Sequence, residues 1–324
     1  MIAIIRFFSA FCLATASIAM PTTANAQMPL SMAEVSKACI DASRKPRPAI
    51  AQSIVDAATQ EWERFGARDW RDGSPAFPYR AVEADWVELK DAKYDRVESA
   101  FTWGRVLSYW RATRTANVLG VAHRIRMQAN GLPERDSEKQ PRRDTIPLDD
   151  ILYSIKNATL ADSQKEALRI AAIRASLIEQ PWSAVFISSM MRIAGLDSAS
   201  FPQVASHSDY MRAALRRSQT GRGGIRYIAC PTASDVEIRP GDLICNGRAG
   251  TGGGFETLWN AQASFTSHCD IVIVADRTAE GLQIQSIGGN VQDTVLRTTY
   301  ATRGMNSLAA AAPRKQWISV LVLR

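Results

Sequence analysis

Six short runs rich in β-branched residues fill the last hundred positions: 225–228, 242–245, 270–275, 282–287, 293–299 and 316–323. Gly and Pro separate them. Runs this short cannot hold a helix against such breakers, and their turn-bounded spacing predicts about five or six mostly antiparallel strands. The part before them is patterned differently. Ser31 caps an amphipathic run to about 43, which Lys45-Pro46-Arg47-Pro48 breaks. Ile50, Ile54, Ala57, Ala58, Glu61 and Trp62 then recur at helical spacing over 49–65, and Gly66 can stop that helix. Positions 69–79 read as a turn-rich connection. Positions 94–130 support one long helix, or two broken near Gly120, with Phe101, Leu107, Tyr109 and Trp110 as core contacts. A polar surface loop is expected over 131–147, and helices over 148–153, 162–178, 181–194 and 206–217. Helices gathered ahead of strands define an α+β class with a mostly antiparallel sheet.

The N-terminus bears on compartment. Arg6 is the only charge in positions 1–26, and an uncharged run from Phe7 to Met20 precedes Ala24-Asn25-Ala26. That run is short for a membrane span, and small-x-small before Gln27 reads as a signal-peptide cleavage site; an uncleaved anchor is the alternative. Removal of 1–26, with Arg6 and Cys12, would lower the formal charge from +7 to +6 and leave Cys39, Cys230, Cys245 and Cys269 of five cysteines. Four cysteines in an exported chain are compatible with two disulfides in any of three pairings. Cys245 and Cys269 would bridge if their strands are antiparallel neighbours. A reactive thiol at either is the other reading. The expected organisation is a signal peptide at 1–26, a helical segment at 27–47 and one domain at 48–324. Its helical part is 48–178 and its catalytic-like core 179–324. The basic balance suits a polyanionic or wall-polymer partner, or is simply a solvated surface. Basic and aromatic residues are not interleaved as a nucleic-acid site would require, and no later segment is long and apolar enough to span a membrane.

The residues able to carry chemistry are few. Ser183 falls in the first turn of the helix that Pro181 opens. A hydroxyl there is ordinarily a cap, but the same free backbone donors could hold an oxyanion for a nucleophile. A serine nucleophile needs a base within hydrogen-bond reach. Of three histidines, His123 reads as a surface residue, and His268 directly precedes the most apolar strand. Asn290 in Gly288-Gly289-Asn290 could orient His268 through its amide; equally, that tripeptide makes a good hairpin turn. His207 sits at a helix start, where it could face the same cleft or merely neighbour a cap at Ser206 or Ser208. Asp242 follows a turn that it can anchor. The glycine-rich stretch 247–254 lacks the Lys and following helix of a phosphate loop and reads as a flexible connector. One His–Cys pair without C-x-x-C or H-x-x-x-H spacing is a poor metal signature, so neither metal nor cofactor is expected.

Several of these pieces occur in an order that resembles an uncharacterised bacterial family, domain of unknown function 2272. They are Pro181-Trp182-Ser183-Ala184-Val185-Phe186-Ile187-Ser188, His207-x-x-Tyr210, Pro240-Gly241-Asp242-Leu243, His268-Cys269-Asp270-Ile271-Val272 and Gly288-Gly289-Asn290-Val291. Glu61-Trp62 and Tyr109-Trp110 also fit, so the resemblance runs from about Ala49 to Tyr300. That family is in turn similar to the CHAP and NlpC-type papain-fold hydrolases of bacterial cell walls. The likeness implies a papain-like core with Ser183 where those enzymes carry Cys, His268 as base and Asn290 as its orienting group. Trp182, His207, Asp242 and Asp270 are the expected substrate-binding or supporting residues. The function so implied is an exported amidase or peptidase acting on peptidoglycan or another envelope peptide. A non-catalytic module binding wall peptides or an envelope protein is the alternative.

Overall fold

Ser31 opens the chain's first helix through a capping box. Its hydroxyl accepts from the Glu34 amide at 3.4 Å, and the Glu34 carboxylate accepts from the Ser31 amide at 2.8 Å. This is seen in a computed structural model that describes residues 28–72, 101–113, 124–126, 145–178, 180–232, 235–248, 250–279, 281–301, 308 and 315–324. The leader expected at 1–26, His123, and most of the loop expected over 131–147 lie outside the described residues. Eight helices occur among the described residues: α1 Met32–Ser43, α2 Ile50–Arg64, α3 Thr102–Ala112, α4 Leu148–Asn157, α5 Asp162–Ile178, α6 Ser183–Ile193, α7 His207–Thr220 and α8 Phe255–Trp259. α7 stops where Gly221 takes a left-handed φ of 65°, its amide closing onto the Arg217 carbonyl.

The strands are β1 Arg68–Arg71, β2 Arg124–Arg126, β3 Thr145–Pro147, β4 Tyr227–Cys230, β5 Leu243–Gly247, β6 Ser267–Thr278, β7 Gly281–Val291, β8 Thr294–Ala301 and β9 Trp317–Leu323. β2 and β3 form a separate ribbon, and the rest make a seven-stranded sheet in the order β1-β8-β7-β6-β5-β9-β4. Every pair in that sheet is antiparallel except β1 with β8. The α+β class follows, with a helical first half and a sheet-rich second. The sheet is strongly coiled, because Tyr300 on β8 packs edge-on against Trp317 on β9 with ring centroids 5.6 Å apart, although three strands separate them in the hydrogen-bonded order.

Two expectations are corrected here. The stretch at 69–79 is not all turn, since its first residues complete β1 on the sheet edge. Nor is the stretch at 94–130 helical throughout, since α3 ends at Ala112 and Arg124–Arg126 form β2. The glycine-rich loop is held at both ends, the Gly247 amide donating to Gln316 and the Gly254 amide to Trp317, at 2.8 and 2.7 Å. Cβ atoms at Gly247 and Gly253 would stand 2.5 Å from the Thr251 oxygen and 3.2 Å from Gln316 Cα.

α6 lies at the centre of the fold. Ser183 through Met191 are all buried, as expected of a helix apolar on every face. It packs on β6 and β7 from one side and meets α2 and α3 on the other. α1 and α7 cover the β4 end of the sheet. Two disulfides, Cys39–Cys230 and Cys245–Cys269, settle the pairing left open by the sequence. The first ties α1 to edge strand β4; the second joins directly opposed residues of β5 and β6.

Candidate active site

Ser183 begins α6, and its hydroxyl does not cap the helix. The residue before it, Trp182, occupies the cap position, and its side chain does not cap the helix. Ser183 Oγ instead lies 2.6 Å from Nε2 of His207, the first residue of α7. Both are buried, each 5% exposed. The first amides of α6 have no acceptor within the helix, so the nucleophile position is flanked by free donors. Trp182 holds this turn in place from below. Its fully buried ring packs on Phe65, Tyr109 and Phe186 with centroids 6.1, 5.9 and 6.4 Å away, which makes it a support and not a substrate surface.

Behind Trp182 is a buried ionic knot. Glu61 on α2, fully buried, accepts from Arg105 Nε at 2.8 Å and Nη2 at 2.6 Å, from Arg64 at 2.8 Å, and from the Tyr109 hydroxyl. Burial alone would raise the Glu61 pKa; the hydrogen bonds and charge of Arg105, aided by Tyr109 and Arg64, override it and hold the group below the ordinary carboxylate value. The knot locks α2 to α3 and fixes the Tyr109 ring under Trp182.

His207 has a second partner one turn along its helix, the Tyr210 hydroxyl against Nδ1. The phenol has no other partner among the described residues, so its proton is best placed on Nδ1. The remaining ring proton then sits on Nε2 and points at Ser183 Oγ. Burial pushes the His207 pKa well below its ordinary value, and the neighbouring His268 and Arg248 charges push the same way against Asp270. His207 is neutral at physiological pH.

The second imidazole stands against the first. The His268 and His207 rings are 5.3 Å apart between centroids, in an edge arrangement. His268 Nε2 donates to Asp270 Oδ1 at 2.7 Å, two residues along the same face of β6. Its Nδ1 is buried and has no hydrogen-bond partner among the described residues. Burial lowers the His268 pKa despite the opposing pull of Asp270. The Asp270 pKa is about 2: burial would raise it, but the charge and hydrogen bond of His268, then Lys315 and Arg248, bring it down. The pair is therefore a carboxylate beside a neutral imidazole whose free lone pair is on Nδ1.

Asn290 is not the orienting group expected from sequence. With its amide assigned from its surroundings, the oxygen accepts from the Trp182 amide at 3.1 Å and the nitrogen donates to Asp293 at 3.2 Å. Asn290 thus pins the start of α6, while Asp270 orients His268. Nor is Gly288-Gly289-Asn290 the turn itself. The turn is Gln292-Asp293, φ 53° and 59°, between paired Val291 and Thr294, and the glycines lie just before it in β7. They allow close approach. A Cβ on Gly288 would come 1.9 Å from Asp270 Oδ1, and one on Gly289 would come 2.4 Å from Phe186 Cγ.

The structure thus brings Ser183, His207, His268 and Asp270 together, puts Asn290 at the helix start, and leaves Asp242 elsewhere. Asp242 accepts from the Leu323 and Arg239 amides, both at 2.9 Å, and pairs with Arg47, so it anchors the turn before β5. Tyr210, Asn246, Arg248 and Lys315 were not singled out by sequence as site residues. The i, i+3 spacing of His207 and Tyr210 on a helix was the legible signal for the first; the others meet only through the coiling of the sheet. Among the described residues no group of three His, Cys, Asp or Glu side chains is arranged to hold a metal.

Comparison with known proteins gives one family. Residues 98–323 match DUF2272, described as an uncharacterized protein conserved in bacteria, and the chain belongs to that family. The match begins after α2, so Glu61-Trp62 lies outside it. No curated protein and no solved structure matches the chain.

Proposed function

From that family membership and the surroundings of Ser183, we propose that the protein is an exported hydrolase of amide or peptide bonds in cell-envelope material. Peptidoglycan is the first substrate to test. The observation that carries this reading is the Ser183 hydroxyl, 2.6 Å from a buried imidazole at a helix start, with a His268–Asp270 pair against that imidazole. It supports the likeness to papain-type wall hydrolases noted in the sequence, with Ser in the Cys position and Asp270 as third member. Two disulfides support an oxidising compartment, and with it export.

His268 is the base. Among the described residues its Nδ1 lone pair is free and no carboxylate bonds His207, while Asp270 stabilises the imidazolium formed when His268 takes a proton. In the ground state His207 donates to Ser183 Oγ and holds it. Proton transfer to His268 requires the hydroxyl to leave His207 as it attacks the carbonyl carbon. The first-turn amides of α6 take the oxyanion. His268 then gives its proton to the leaving amine, and water releases the acyl group.

A binding module is the second reading, favoured by the burial of Ser183, which is only 5% exposed. Mass spectrometry of purified peptidoglycan incubated with wild type, Ser183→Ala and His268→Ala separates the two. New fragments from wild type alone are expected. Fragments from all three proteins, or from none, would overturn the hydrolase.

A further inference from the structure

Where the coiling of the sheet brings Tyr300 of β8 beside Trp317 of β9, the ends of β5 and β9 and the residue after β1 surround an open cleft of about 450 Å3, within the range of about 300–1,000 Å3 usual for small-ligand sites. Its lining includes Arg248, Lys315, Asp72 and Asn246. Arg248 and Lys315 make no ion pair among the described residues. The Lys315 ammonium stands over the Tyr300 and Trp317 rings, 5.3 and 5.8 Å from their centroids. Asp72 uses its backbone amide on Thr299, and its carboxylate has no partner among the described residues. Unpaired charges of both signs thus face one space.

The floor of the cleft is more specific. Asn246, 6% exposed, donates to the Gly247 carbonyl at 2.9 Å, while its Oδ1 is buried with no partner among the described residues. A buried acceptor in that state costs free energy until a donor reaches it. Asn246 is also paired directly across from His268 on β6. Directly opposed residues of an antiparallel pair point to the same side with their Cβ atoms about 5 Å apart. The cleft therefore borders the proposed base, and Arg248 and Lys315 both act electrostatically on the His268–Asp270 pair.

We propose that this cleft is a subsite for the carboxylate-bearing end of a peptide that also carries an ammonium group. Arg248 and Lys315 take the carboxylate, Asn246 Oδ1 accepts from the adjacent amide N–H, and Asp72 faces the ammonium. The assignment deepens the hydrolase reading by naming its substrate class: peptides cleaved close to a free, zwitterionic end. It rests on that reading for catalysis, but not for binding.

The test is a calorimetric titration of the leaderless protein with acetyl-Gly-Lys, its C-terminal amide, and acetyl-Gly-norleucine. The free acid is expected to bind, the amide about tenfold or more weakly, and the norleucine peptide more weakly than the lysine one. Arg248→Gln and Lys315→Gln should each weaken the acid and leave the amide unchanged, while Ser183→Ala binds as wild type. Equal binding of acid and amide, no saturable binding of either, or insensitivity to both cleft variants would overturn the subsite. Selective binding without cleavage of any wall peptide would sink the hydrolase and keep the subsite. Cleavage without selective binding would do the reverse.

Discussion

Replacing Gly289 with Ala tests the close approach of β7 to α6. The added Cβ would stand 2.4 Å from Phe186 Cγ, 2.5 Å from its Cβ and 2.9 Å from its Cδ1. Carbon atoms in contact prefer about 3.5–4.0 Å, so three contacts are each too short by more than half an ångström. The Gly289 backbone is outside the left-handed region, so an Ala there meets a purely spatial penalty. Phe186 has little room to yield, because it is fully buried and its ring sits edge-on against Tyr109 at 5.7 Å. Either β7 or α6 must shift. Overpacking of this kind costs about 1–3 kcal/mol, and a triple contact against a wedged ring belongs at about 3. At about 2 °C per kcal/mol for a chain of this size, the expected fall in Tm is roughly 6 °C. Urea unfolding and a thermal scan measure both quantities. Gly252→Ala is the control: its Cβ would meet only Thr257 Oγ1 at 3.7 Å, an ordinary contact. If Gly289→Ala matches wild type within the scatter of Gly252→Ala, the close approach of β7 to α6 is wrong, and with it the account of why the site carries two glycines.

Stability should also fall with pH below about 6.5, because His207 and His268 both have lowered pKa values and the unfolded chain binds more protons there. A second loss is expected as pH falls from about 4 towards 2, where Asp270, held at about 2 in the fold, loses its charge. A urea midpoint that stays flat from pH 7.5 to 5 would refute the histidine part, and His207→Gln should shallow that slope. Removing Cys39–Cys230 by a double Ala substitution should cost more than removing Cys245–Cys269, since the closed loops span 191 and 24 residues. Chain entropy puts the two at about 5 and about 3.5 kcal/mol, and equal losses in urea unfolding would refute that ordering.

What could be read from sequence was local. α5 ends where its periodicity does, Ser31 caps α1 as its place before the apolar run implies, and each of the six β-branched runs overlaps one of β4 to β9. β1 escaped because Arg68-Asp69-Trp70-Arg71 is polar and short; its strand state comes from pairing with β8, more than 200 residues later. The same distinction runs through the site. Ser183 at a helix start and His268 at a strand start are legible as local chemistry. That His207 reaches Ser183 depends on how α6 and α7 are each seated on β6, which no spacing encodes. Asp270 carried a signal that was available, since i and i+2 share a face of any strand. Asn290 looked equivalent by residue type alone, and only the register of β7 directs it to the Trp182 amide.

The two disulfides join cysteines in the order 39 with 230, then 245 with 269. They are neither nested nor interlaced. A chain that emerges from its N-terminus presents Cys39 first and offers it no partner among these four until Cys230 arrives. Once those two have joined, Cys245 waits for Cys269. Each native partner is thus the next thiol to appear, so an oxidant acting on cysteines as they arrive makes the correct bridges without reshuffling. The cost is delay: α1 is made first, yet its covalent tie to β4 must wait for nearly two hundred further residues.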